Sequence, residues 1–133
     1  MKTTISILFL AALLTGCATK GNKFPEPIKD ICSAALYDAR DRVKSVDGVD
    51  RKETRCVVSL MKGQERLANR WCWQTSDGWI SGTCSGSVIT IGCNPNDPSD
   101  IHYETLVHEM GHHWLGVNEG QHPDEYAGVF DMW

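Results

Sequence analysis

The segment Tyr103–Leu115, YETLVHEMGHHWL, constrains this chain more than any other. It contains His108-Glu109-Met110-Gly111-His112, two histidines four positions apart with an acid directly after the first. On a helix, residues four apart share a face one turn apart. Both imidazoles can then reach one cation. Glu109 is rotated by about 100° from His108, which sets its carboxylate beside that cation without making it a ligand. Two imidazoles suit zinc, which also accepts water in an open position, and a carboxylate alongside can act as general base. Gly111 argues against a helix built for stability alone, because glycine costs about 1 kcal/mol relative to alanine in a helix interior.

The chain begins as an exported one. Lys2 provides a positive start and Ile5 to Leu14 an apolar run of signal-peptide length, too short to span a bilayer. Residues 1–16 therefore read as a signal peptide. The run ends in Leu14-Thr15-Gly16-Cys17, which resembles the lipobox of bacterial lipoproteins. That resemblance implies lipidation at Cys17 and a membrane anchor. With Ala18 next, and in a Gram-negative source, it implies the outer membrane, facing the periplasm. A plain secretory leader with an incidental cysteine is the competing reading.

Residues 17–25 read as a flexible tether and residues 26–133 as a single domain, enough chain for one core and too little for two. The net charge is −4, which argues against nucleic acid and against a polybasic membrane patch. Cys32, Cys56, Cys72, Cys84 and Cys93 remain in an exported chain, so disulfides are expected, with one thiol left over. Cys72, Cys84 and Cys93 lie in neighbouring expected strands and are the preferred source of one bridge.

The fold class expected is α+β. Apolar residues from Ile28 to Val46 recur at helical spacing, predicting a helix over roughly 26–45 that ends at Asp47-Gly48. A small, twisted, mainly antiparallel sheet follows. Its strands are expected near 54–61, 70–75, 79–83 and 87–92, with Asp77-Gly78 as a hairpin turn. Residues 64–69 read as a short helical turn or a lead into the next strand. Of the tryptophans in the hairpin region, Trp71 or Trp73 is expected to pack; an exposed one beside a cleft would serve substrate. Residues 93–98 read as a loop, with Ser99 or Asp100 capping a helix that begins at Ile101. Thr105 is expected to support the site with a hydrogen bond, His113 to point away from it, and His102 to lie at the surface. Gly116 suits the helix C-cap.

A catalytic zinc has three protein ligands and a water. Glu119, His122, Asp124 and Glu125 are the candidates for the third, and His122 is preferred. It precedes Pro123-Asp124-Glu125, a helix-start pattern that would mount it on a short last helix over about 123–132.

The motif at His108, Glu109 and His112, followed by His122-x-x-Glu125-Tyr126, resembles the zincin metallopeptidases, and most nearly compact members such as the SprT-like family. The resemblance covers about residues 87–126. It implies Zn2+ held by His108, His112 and His122, a zinc-activated water, Glu109 as general base and a sheet edge that holds an extended peptide. Tyr126 is assigned as a donor to the developing oxyanion. Leu115 and Asn118 stand where the metzincin pattern requires Gly and His, so that branch is excluded. The DNA-linked roles of the compact families are not carried over to an acidic, lipid-anchored chain. The function expected is a zinc-dependent endopeptidase of the cell envelope, acting as a monomer on protein or peptide. The alternatives are a non-catalytic, zinc-stabilised binding lipoprotein and a zinc amidase acting on peptidoglycan peptides.

Overall fold

A computed structural model describes residues 21–52 and 54–131. The leader and Cys17 lie outside the described residues. A 3-10 turn at Glu26–Ile28 leads into helix α1, Lys29–Asp47. Pro25 occupies the cap position of the turn, and a proline also fills its start, where a missing N–H costs nothing. Cys32, Ala35, Leu36, Ala39 and Val43 form the buried stripe of α1. The helix stops at Gly48, whose φ of 71° is the left-handed conformation that glycine adopts without strain.

The main sheet is built on strand β6, Val88–Asn94. Strand β1, Val57–Lys62, lies parallel to it, pairing Val58 with Ile89 and Leu60 with Ile91. Strand β5, Gly82–Ser85, pairs antiparallel on the other side, and β7, Asp97–Ile101, returns antiparallel from the end of β6. A separate meander, β2 (Glu65–Leu67), β3 (Arg70–Thr75) and β4 (Gly78–Ile80), completes the α+β fold. Helix α2 spans Tyr103–Leu115, and a second 3-10 turn, Asp124–Tyr126, leads into the short helix α3, Ala127–Phe130. Among the described residues no helix is long and apolar enough to cross a membrane.

The core lies between the two long helices and one face of the main sheet. Ile89 and Ile91 are fully buried there with Leu36, Leu106, Val107 and Met110. Polar contacts fix the helix pair. Arg42 of α1 reaches Asp38 at 2.9 Å and Glu104 of α2 at 2.8 Å, and the indole of Trp114 donates to the Leu36 carbonyl at 2.8 Å. Successive side chains in a strand point to opposite faces, so Gly92 faces away from the helices. The meander crosses there: a Cβ at Gly92 would sit 1.9 Å from the Trp71 carbonyl oxygen. Trp71 also covers Gly63, where a Cβ would meet its side chain at 2.8 Å, and its indole donates to Asp100 at 3.1 Å.

Several expectations are corrected. Of the two readings of residues 64–69, neither a helical turn nor a mere lead into the next strand forms: residues 65–67 are a strand of their own, because Ala68 and Asn69 both take positive φ, 50° and 66°, and close a tight hairpin with β3. Asp97–Ile101 is a strand, so α2 starts at Tyr103, with the His102 imidazole accepting from the Thr105 N–H as its cap. The last helix ends at Phe130, and Met132 lies outside the described residues. The five described cysteines are free thiols. Cys72 and Cys84 direct their sulfurs to the carbonyls of Arg70 and Gly86, at 3.5 and 3.4 Å, rather than to each other or to Cys93.

Gly92→Ala is expected to destabilise the domain by about 3 kcal/mol or more, because backbone rather than a flexible side chain blocks the new methyl. Urea unfolding of the variant beside the natural chain checks this.

Candidate metal centre

Helix α2 presents His108, Glu109 and His112 from its buried side, at 7%, 4% and 1% exposure. The helical spacing brings the Nε2 atoms of His108 and His112 to 3.3 Å. The loop after Gly116 then returns His122, whose Nε2 lies 3.2 Å from that of His108. The ligand atoms of all three fall within 4.8 Å of one another. Four ligands placed tetrahedrally around zinc at about 2.0–2.1 Å are necessarily roughly 3.3 Å apart. The separations of His108 Nε2 from His112 and from His122, 3.3 and 3.2 Å, match that spacing.

The protonation state of His108 follows from its partner. Nδ1 lies 2.9 Å from the Phe130 carbonyl oxygen. A carbonyl can only accept, so Nδ1 carries the proton and Nε2 offers its lone pair to the cluster. Burial pushes the His108 pKa down to about 4 and lowers that of His112 as well, so both rings are neutral near pH 7. The Phe130 ring packs against all three imidazoles, with centroids 4.7 to 5.2 Å away. Gly111 makes this possible. A Cβ there would lie 2.3 Å from Val129 and 3.2 Å from Phe130, so the helix gives up a side chain to let α3 dock.

Glu109 is buried beside the triad, and among the described residues its Oε1 has no hydrogen-bond partner. Burial raises its pKa well above the carboxylate range, and the neighbouring Glu119 carboxyl raises it further. Strand β5 runs close by at Gly82, where a Cβ would lie 3.0 Å from Glu109 Cγ and 2.9 Å from Thr105. Glu119 places one carboxylate oxygen 3.6 Å from His112 Nε2, and the other accepts the backbone N–H of Cys84. The site opens into a cavity of about 430 Å3, walled on the far side by Leu67, Trp79 and Ile80 of the meander. His108, His112 and His122, with Glu109 and Glu119, form a cluster that could hold a metal ion; the donor spacing and the unbonded carboxylate oxygen fit one.

Both His122 and the alternative Glu119 reach the cluster, while Asp124 and Glu125 lie on the 3-10 turn outside it. Tyr126 is not brought there: its hydroxyl donates to Asp47 at 3.1 Å, at the end of α1. The expected oxyanion role therefore has no support in its position. Thr105 hydrogen-bonds His102 at 2.8 Å rather than supporting His108. His113 points away, as expected, toward Thr54 and the Gly86 carbonyl. Sequence reasoning missed the Phe130 carbonyl and the contact from Glu119 to β5. A backbone carbonyl has no residue-type signal, and Gly111 was the one trace of the docking that delivers it.

Comparison with protein-family models, curated proteins and solved structures finds no match.

The depressed His108 pKa sets a pH dependence for the metal-free protein. The unfolded imidazole titrates near 6.5 and the folded one near 4, so between those values the unfolded chain binds more protons. The raised Glu109 carboxyl acts in the opposite sense, because there the folded chain binds the extra proton, so the His108 contribution is read in Glu109→Gln, whose stability is expected to fall as pH drops from about 6.5 to 4, by up to roughly 3 kcal/mol from His108 alone. Chemical denaturation at pH 7.5, 5.5 and 4.5 after chelation checks this; a flat profile would contradict it.

Proposed function

We propose that the chain is a zinc-dependent peptidase of the zincin type. The observation that carries this reading is the convergence of the His108, His112 and His122 Nε2 atoms beside a Glu109 oxygen with no hydrogen bond, at the head of an open cavity. An all-imidazole donor set suits zinc. When bound, zinc would acidify a water to a pKa of roughly 7 and polarise a carbonyl.

The chain's own residues do the rest. His108 is held in its ligand tautomer by Phe130, so its lone pair needs no rearrangement on binding. Glu109 lies where it can take a proton from a water in the cavity and return it to a leaving amine. Its high pKa in the absence of a cation reflects burial, and a dication nearby favours the ionised base. Strand β5 borders the cavity at Gly82, and the Cys84 N–H points out of the sheet toward Glu119. An extended peptide can add to such an edge by main-chain hydrogen bonds once it displaces the Glu119 carboxylate from that N–H.

A closed structural zinc site needs neither an adjacent base nor an open cavity, and both are present here. Nothing in the donor set separates a protein amide from a peptidoglycan amide; the β5 edge favours an extended peptide. The leader and Cys17 support a lipid-anchored protein of the bacterial envelope.

In full-length protein loaded with zinc, Glu109→Gln is expected to keep the metal and lower peptide hydrolysis by about 10²–10⁴-fold. Unchanged hydrolysis would refute the mechanism. His122→Ala is expected to release zinc on dialysis under conditions in which the natural chain retains it, as measured by elemental analysis. Full retention would remove His122 from the ligand set.

A further inference from the structure

The meander is an unusual use of chain. Strand β2 is exposed at every position, β4 has no buried residue, and β3 buries only Cys72. It adds little to the core, yet its backbone is seated firmly on the main sheet at Gly92 and Gly63 and through the Trp71–Asp100 hydrogen bond. What it presents to the cavity is mainly apolar, Leu67, Cys72, Trp79 and Ile80, with Arg70 the charged residue beside them. Leu67 is 36% exposed and Trp79 41% exposed, and both line the cavity that ends at His108, Glu109 and His122. Leaving two large apolar side chains in water forfeits the gain from burying them, and apolar surface in a concave site marks a place where something docks. A rigid aromatic wall facing a polar cluster is suited to a ligand with an apolar side chain beside a reactive amide.

We propose that the Trp79–Leu67 wall is the specificity-determining surface of the site, accepting a large apolar side chain, aromatic or long aliphatic, of a peptide lying along β5. The inference rests on the peptidase reading and gives it a substrate class: peptides with Phe, Tyr or Leu next to the bond to be cut. The cavity, about 430 Å3, has the size of small-ligand sites and admits such a side chain together with its flanking backbone. Trp79 contributes breadth with only two rotatable torsions, so little freedom is lost on binding.

The test separates selectivity from turnover. Full-length, zinc-loaded Glu109→Gln protein is titrated calorimetrically with blocked pentapeptides of alanine whose central residue is Phe, Leu, Ala or Glu. The Phe and Leu peptides should bind at least about tenfold more tightly than the Ala peptide. Adding Trp79→Ala should reduce that ratio to under about threefold with zinc content and circular dichroism unchanged, and Trp79→Phe should restore it. Equal binding of the Phe and Ala peptides, no measurable binding of either, or a preference that survives Trp79→Ala overturns the proposal. Selective binding without hydrolysis by the natural chain would sink the peptidase reading and leave the apolar subsite standing. Hydrolysis without selectivity would do the reverse.

Discussion

Imidazole nitrogens rarely crowd together inside a protein, because their lone pairs repel unless a proton or a cation lies between them. In this chain His108 Nε2 has both His112 Nε2 and His122 Nε2 within 3.3 Å. The Phe130 carbonyl commits the His108 proton to the other side of the ring, so that proton cannot relieve the crowding. Burial disfavours charging His108 and His112 as well. A cation could satisfy all three at once, and contacts from the surrounding structure hold His108 and the helix that carries it. Trp114 and Arg42 lock α2 to α1, and α3 supplies both the carbonyl and the aromatic floor beneath the imidazoles.

Close approach is what the glycines contribute. At Gly111 the missing side chain admits Val129 and Phe130; at Gly82 it brings β5 against Glu109; at Gly92 it lets the meander backbone lie on β6. Each of these contacts places one wall of the site: the floor beneath the imidazoles, the β5 edge and the meander side. Helix stability and strand packing are given up at these positions, and positional precision around the cluster is gained.

Much of the fold was legible because its signals are local. The stripe from Ile28 to Val43 repeats at helical spacing, the hairpin signalled by Asp77-Gly78 forms one residue earlier, with Ser76-Asp77 as its turn and Gly78 opening β4, and Gly116 closes α2 in the left-handed conformation. The strand at 97–101 was not legible, since Asp-Pro-Ser-Asp carries no apolar alternation; it forms because β6 offers it an edge. Tyr126 was misplaced for a related reason. Its neighbours in sequence suggested the site, but the 3-10 turn rotates its hydroxyl toward Asp47.

The sequence by itself determined the pair of imidazoles on one helix face and the carboxylate between them, because a helical repeat places residues four apart without help from the rest of the chain. Only the tertiary structure decided that His122 and Glu119 both return to this pair, that the Phe130 carbonyl orients His108, and that Trp79 rather than Trp71 faces the cavity. Those are contacts between segments separated by loops. Loop paths depend on the packing of whole elements, and that packing leaves no periodic mark on the residues that make it.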